Sequence, residues 1–140
     1  MTINEIQDEI IQEFLIFDDW MDKYSYIIDL GNDLTDFNED ARTDQNLIEG
    51  CQSKVWFNAN YKDGTITFEA DSDAIITKGI ASLLIRILSG RTPDEILNTD
   101  LYFIEKIGLT SHLSPTRSNG LMSMIKQLKL YAMAYKSLNK

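Results

Sequence analysis

The sequence predicts an α+β fold: a small antiparallel β-sheet, a hairpin with room for a short third strand, packed against N-terminal, central and C-terminal helices. Three observations predict it. Apolar residues recur every three or four positions towards both ends of the chain, the mark of amphipathic helices. Between residues 53 and 70 the period falls to two, the mark of half-buried strands. Turn chemistry, "NYKDG", separates the two alternating runs, so they pair as a hairpin.

The first helix opens on Thr2 and Glu5, which have capping-box spacing, and carries Ile3, Ile6, Ile10, Phe14 and Phe17 on one face. A second helix starts near Asp19, runs through Tyr24, Ile27 and Ile28, and ends at Gly31. Residues 31 to 46, "GNDLTDFNEDARTDQN", are crowded with acidic and amide side chains and read as a long acidic surface loop. In the hairpin, Val55, Phe57 and Ala59 face one way, answered by Ile66, Phe68 and Ala70. Two strands alone are marginal in water, so helices must cover the apolar side, and a third short strand fits near residues 46 to 49. Trp56 points away from that side, either against a terminal helix or partly exposed beside the cysteine.

The central helix takes Ser72 or Asp73 as its cap and a stripe of Ile76, Ile80, Leu83, Leu84 and Ile87, closing at Gly90. Gly79 inside it costs about 1 kcal/mol against alanine and points to close approach of another backbone. "TPDE" at 92 to 95 opens a short helix with cap, proline and capping acid in order. Another short helix spans about 101 to 107 and closes at Gly108. The last helix takes Ser114 as cap and Pro115 as first residue, with Leu121, Met124, Ile125, Leu128, Ala132, Tyr135 and Leu138 along its face.

At 140 residues the chain is read as one domain, residues 1 to 140, able to bury a core without disulfides or metal. Its formal charge of -9 repels a nucleic-acid backbone, and no basic stripe offsets it. The longest near-apolar run, "IASLLIRILSG", is broken by Arg86 and too short for a bilayer. "MTINEIQDEII" lacks the basic segment of a signal peptide. No nucleic-acid or membrane partner is expected, and a reducing cytoplasm fits a chain with a single cysteine.

That cysteine, Cys51, follows Gly50 at a loop-to-strand junction, in "LIEGCQSKVWF". A free cysteine is commonly a small buried hydrophobe. Two features favour chemistry instead: Cys51 lies outside the apolar alternation, and functional groups are often carried on loops anchored by a rigid scaffold. A thiolate there can attack an electrophilic sulfur or carbon. A cysteine hydrolase also needs a base, and His112, the one histidine, equally suits a surface or turn-capping role. One cysteine and one histidine do not make a zinc site. The chain also lacks a phosphate-binding glycine loop and a Cys-x-x-Cys pair.

Four blocks, in order, carry a family resemblance. "GCQSKVWF" at 50 to 57 resembles the cysteine signature of the SufE family, the sulfur acceptors of cysteine desulfurases. "SDAIITKGIASLL" at 72 to 84, "SGRTPDEIL" at 89 to 97 and "GLTSHLSPTRSNGLMSMI" at 108 to 125 resemble its central helix, its linker and its C-terminal signature. The resemblance spans roughly residues 30 to 138. It implies a SufE/IscU-like fold and a sulfur-transfer protein that activates its desulfurase, not a stand-alone enzyme. By position Cys51 is the acceptor of persulfide sulfur. No cofactor or metal of its own is implied, because the partner supplies pyridoxal phosphate and the electrophile.

The implied partners are a SufS-like cysteine desulfurase and a SufBCD-like scaffold complex; a homodimer stays open. The resemblance makes Asp73, His112, Arg117 and Asn119 site-lining candidates that support the loop, with Gly50, Gln52 and Ser53 shaping it. IscU-type scaffolds hold clusters on three cysteines, which this chain lacks. Two alternatives remain: a SufE-like partner of a different desulfurase feeding another sulfur pathway, and a noncatalytic allosteric activator.

Overall fold

The computed structural model describes residues 1 to 34, 37 to 51 and 53 to 138. Its elements, in chain order, are α1 (Ile3–Phe14), α2 (Trp20–Gly31), a 3-10 turn (Glu39–Ala41), β1 (Val55–Lys62), β2 (Thr65–Ser72), α3 (Ile75–Leu88), α4 (Pro93–Leu97), α5 (Phe103–Lys106), α6 (Leu109–His112) and α7 (Pro115–Leu138). β1 and β2 form a two-stranded antiparallel sheet, with Val55 opposite Ser72 and Lys62 opposite Thr65. Positive φ at Asp63 (53°) and Gly64 (84°) turns the hairpin. The architecture is the α+β arrangement expected, and α3 is its centre, packing on both α2 and β2.

The core follows the periodicities. Val55, Phe57, Ile66, Phe68 and Ala70 are buried on one face of the sheet, against Ile76, Ile80, Leu83, Leu84 and Ile87 of α3. From α7 come Leu121, Met124, Leu128 and Ala132, while Leu138, expected on that face, is 77% exposed. The capping box at the start of α1 forms, with the Thr2 hydroxyl accepting from the Glu5 N–H. The helix stops at Phe14, and Phe17 lies beyond it, its ring 5.0 Å from that of Tyr26. Gln7 is wholly buried on α1 with its amide satisfied: Nε2 donates to the Asp100 carbonyl at 3.0 Å, and Oε1 accepts from the Phe103 N–H at 3.2 Å.

Gly31 ends α2, as expected. It is the buried last residue of α2, and a Cβ there would lie 2.8 Å from the Gly79 nitrogen. A Cβ on Gly79 would lie 2.0 Å from the Ile27 carbonyl oxygen. The two glycines bring the backbones of α2 and α3 into contact, which explains the glycine inside the central helix.

The cap of α3 is neither Ser72 nor Asp73, the two residues expected there. Ala74 occupies the cap position and makes no side-chain cap bond. Ser72 and Asp73 face the other way: Ser72 Oγ donates to the Lys54 carbonyl at 2.9 Å, and Asp73 Oδ1 accepts from the Lys54 N–H at 2.9 Å. The third strand reduces to one antiparallel bridge, Leu47 to Trp56, with Ile48 N–H donating to the Val55 carbonyl at 2.8 Å. On the other side of the sheet, Ile66 bridges to Arg91 and the Phe68 N–H donates to Ser89 Oγ at 2.9 Å, so both outer edges are partly covered.

The acidic segment is anchored where it is described; its Thr35 and Asp36 lie outside the described residues. Ala41 is buried, and Arg42 pairs with Glu39 at 2.9 Å and with Asp71 of β2 at 2.5 Å. Trp56 is partly exposed, and its ring lies beneath the Arg42 guanidinium, 5.0 Å from its centroid.

Candidate functional site

Cys51 sits in a loop whose two stems are tied together. Besides the Leu47–Trp56 bridge, Lys54 is held from both sides of its peptide by Ser72 and Asp73. The tip rests on α7. Gly50 has φ +91°, and a Cβ there would lie 2.5 Å from Ser123 Oγ. One residue on, the Cys51 thiol lies against Gly120: Sγ is 3.6 Å from the Gly120 carbonyl oxygen and donates to it. A Cβ on Gly120 would lie 3.4 Å from that sulfur. The bare backbone of α7 thus forms a shallow seat for the thiol.

The thiol is partly buried, and burial raises its pKa above an ordinary thiol's 9.0. At neutral pH the sulfur therefore rests as a neutral thiol, sheltered and poorly nucleophilic. Reaction requires it to lose its proton or leave its seat.

Beside the sulfur opens a cleft of about 780 Å³. Its apolar wall is Ala74, Ile80, Leu121 and Met124. Its polar wall carries the hydroxyls of Ser53, Thr77, Ser114 and Thr116, with Arg117. Arg117 is the only formal charge among the described lining residues, and its guanidinium lies over the Tyr24 ring, 5.7 Å from the centroid. A cleft of this size with an apolar wall, a few convergent polar groups and one cation suits a partner's loop or a small organic molecule.

The sequence candidates separate on this geometry. Cys51, Ser53 and Arg117 meet at the cleft, and Gly50 shapes the loop beside it. Gln52 lies outside the described residues. Asp73 is not in the cleft walls; it anchors Lys54. His112 is exposed, its Nδ1 2.9 Å from the Gly108 carbonyl and its ring stacked on Trp20 at 4.5 Å. A carbonyl only accepts, so Nδ1 carries the proton and His112 serves to hold α6 against α2. Asn119 is exposed on α7 and does not line the cleft. Gly120 and Ser123, which seat the loop, were not singled out from the sequence. A glycine inside the pattern of the last helix was the available signal for Gly120. Thr77 and Thr116 carry no such signal. No group of three or more Asp, Glu, His or Cys that could hold a metal ion is found among the described residues. No helix among them is long and apolar enough to cross a membrane.

Comparison with known proteins adds to this geometry. The family model "SufE: Fe-S metabolism associated domain" matches residues 8–132. An uncharacterised SufE-like protein of Rhizobium meliloti is 42% identical over 127 residues, covering 87% of this chain and 91% of that protein. An uncharacterised SufE-like protein of Rhizobium etli is 40% identical over 127 residues, covering 87% of this chain and 86% of that one. The solution structure of a hypothetical protein from Thermus thermophilus shares the fold, with a TM-score of 0.76 at 18% identity, covering 96% of this chain and 97% of that one. With its lone cysteine seated on the C-terminal helix and most of its length matched, the chain belongs to the SufE family, the domain associated with iron–sulfur metabolism.

Proposed function

We propose that Cys51 is a sulfur acceptor. It takes the outer sulfur of a persulfide carried by a SufS-like, pyridoxal-phosphate-dependent cysteine desulfurase, stimulates that enzyme, and hands the sulfur to a SufBCD-like scaffold. The transfer is thiol exchange. The Cys51 thiolate attacks the outer sulfur of the partner's persulfide, a new S–S bond forms at Cys51, and the old one breaks as the partner's cysteine leaves as thiolate. One S–S bond replaces another, so no external oxidant or reductant is needed. A reducing, cytoplasmic compartment keeps the acceptor thiol free between cycles.

The observation that carries this reading is the seat of Cys51. The sulfur lies at the tip of a loop with pinned stems, held on α7 by one thiol hydrogen bond of 3.6 Å, beside an open cleft. Shelter protects the thiol from oxidation, and so light an attachment lets it leave when a partner docks. Intact-protein mass spectrometry after one turnover with desulfurase and L-cysteine, without reductant, tests it. The expected result is a gain of about 32 Da, removed by dithiothreitol and absent in Cys51→Ser. A desulfurase that is stimulated while Cys51 never gains mass would instead support the allosteric activator.

A further inference from the structure

Arg42 stands nine residues before Cys51 and outside the cleft, yet its side chain touches both sides of the cysteine loop. On the incoming side it is bound to its own segment through Glu39, with Nε to Oε2 at 2.9 Å and Nη2 to Oε1 at 3.2 Å. Its guanidinium also lies over the Phe37 ring, 5.2 Å from the centroid. On the outgoing side it lies over Trp56, 5.0 Å from the centroid, five residues past the cysteine. It then reaches across the hairpin to Asp71, the register partner of Trp56, at 2.5 Å. Asp71 in turn pairs with Lys78 of α3 at 3.3 Å, one residue beyond Thr77 of the cleft wall. Arginine suits this place because a planar guanidinium can stack on rings while its edge serves carboxylates; lysine cannot do both.

We propose that Arg42 is a positioning residue for Cys51: it clamps the incoming and outgoing stems of the 49 to 54 loop to each other and to β2, and so sets how often the thiol leaves its seat on Gly120. Cys51 lies only four positions after Leu47, the last bridged residue before the loop, so a stem that loosens there frees the tip directly. At the tip itself, the described contacts of the loop with α7 are the thiol hydrogen bond, the packing of Cys51 on Gly120 and that of Gly50 on Ser123. The stems therefore carry most of the restraint. The significance for sulfur transfer rests on the reading of Cys51 as acceptor; the clamp does not.

The test is alkylation of Cys51 by iodoacetamide in the free full-length chain, followed by mass, over a range of pH. It uses no desulfurase, so failure of sulfur acceptance and failure of the clamp give separate results. Arg42→Gln is expected to react about tenfold faster than wild type, the factor corresponding to loss of two ring contacts and two ion pairs, all partly exposed. Its pH midpoint should also fall towards that of an ordinary thiol as burial is relieved. Arg42→Lys keeps the charge facing Asp71 but loses the stacking, and should fall between the two. Arg86→Gln is the control, because Arg86 joins α1 to α3 through Glu9 and Glu13, and its loss should leave the Cys51 rate unchanged at an equal margin below each melting temperature. A wild-type rate and midpoint in Arg42→Gln overturns the proposal, as does equal acceleration in Arg86→Gln. Should Arg42→Gln fail to fold, Arg42→Lys decides, and a wild-type rate there overturns it.

Discussion

At Gly50 and Gly120 the absence of a Cβ decides where the Cys51 sulfur rests. Gly50 carries two constraints together. Its φ of +91° is a conformation that other residues rarely adopt, and its α-carbon faces Ser123. Gly50→Ala therefore adds backbone strain of about 1 kcal/mol and a collision, since the new Cβ would stand 2.5 Å from Ser123 Oγ. The two costs are separable. Ser123→Ala removes the oxygen and leaves the Ser123 Cβ at 3.5 Å, an ordinary contact. Urea unfolding should show Gly50→Ala destabilised by about 1–3 kcal/mol, with Gly50→Ala/Ser123→Ala recovering the collision part and keeping the strain. Equal stability of the single and double variants would mean that Ser123 does not bound the loop. Gly50 was legible in the sequence because it precedes the one cysteine. Ser123 was not, because nothing local distinguishes a helical serine that meets a residue 73 positions earlier.

Between elements, the join of α1 to α3 is electrostatic as well as apolar. Arg86 Nη2 lies 2.6 Å from Glu9 and 2.5 Å from Glu13, and Glu13 also accepts from the Tyr26 hydroxyl at 2.6 Å. The Arg86 hydrogen bond, with that of Tyr26, holds the Glu13 carboxyl below its ordinary 4.5 against the opposing effect of burial. A depressed carboxyl stabilises the fold above its unfolded value, and the contribution is lost as pH falls through the folded one. Tyr26 has the opposite sign: burial first, then Glu13, pushes it up to about 12, so its contribution is present below 10.0 and lost as pH rises towards about 12. Arg86→Gln should accordingly cost about 1 kcal/mol at neutral pH and progressively less as pH falls through the depressed Glu13 value, read by urea unfolding along a pH series. A cost that does not change with pH would assign Arg86 a packing role only. The elements themselves were mostly legible, because their signals are local: caps at Thr2, Asp19 and Thr92, alternation in the hairpin, and Pro115 at the start of α7. What escaped depends on distant partners. The start of α3 was misplaced because Ser72 and Asp73 bind Lys54 instead of capping the helix. The third strand was overestimated because residues 46 to 49 share only a bridge with β1. The turn of α6 is too short to leave a periodic signal.

Over the whole molecule, the net charge of -9 is not spread evenly in effect. Arg42, Lys78, Arg86, Arg91 and Lys136 each pair with a carboxylate of the chain, which neutralises those sites locally. Asp40, Asp44 and Glu49 remain exposed on the approach to Cys51. The charge crowding there was plain in the sequence; that Arg42 neutralises Glu39 and Asp71 while leaving these three free depends on the fold. A field of this kind steers a partner that presents basic side chains around its own reactive cysteine, and acts on the encounter more than on the lifetime of the complex. Salt distinguishes the two. Between about 0.01 M and 0.1 M the screening length falls from about 30 Å to about 10 Å, so steering fades while short-range contacts persist. The association rate constant with the desulfurase, measured by stopped flow, should fall by about tenfold over that range, with dissociation changing much less. Asp44→Asn combined with Glu49→Gln should slow association at low salt and flatten the salt dependence, leaving the mass gain on Cys51 intact at saturating partner. Association that keeps its rate as salt is added would leave the acidic approach without a steering role and transfer recognition to the cleft, where Arg117 and the hydroxyls of Ser53, Thr77, Ser114 and Thr116 supply the polar contacts.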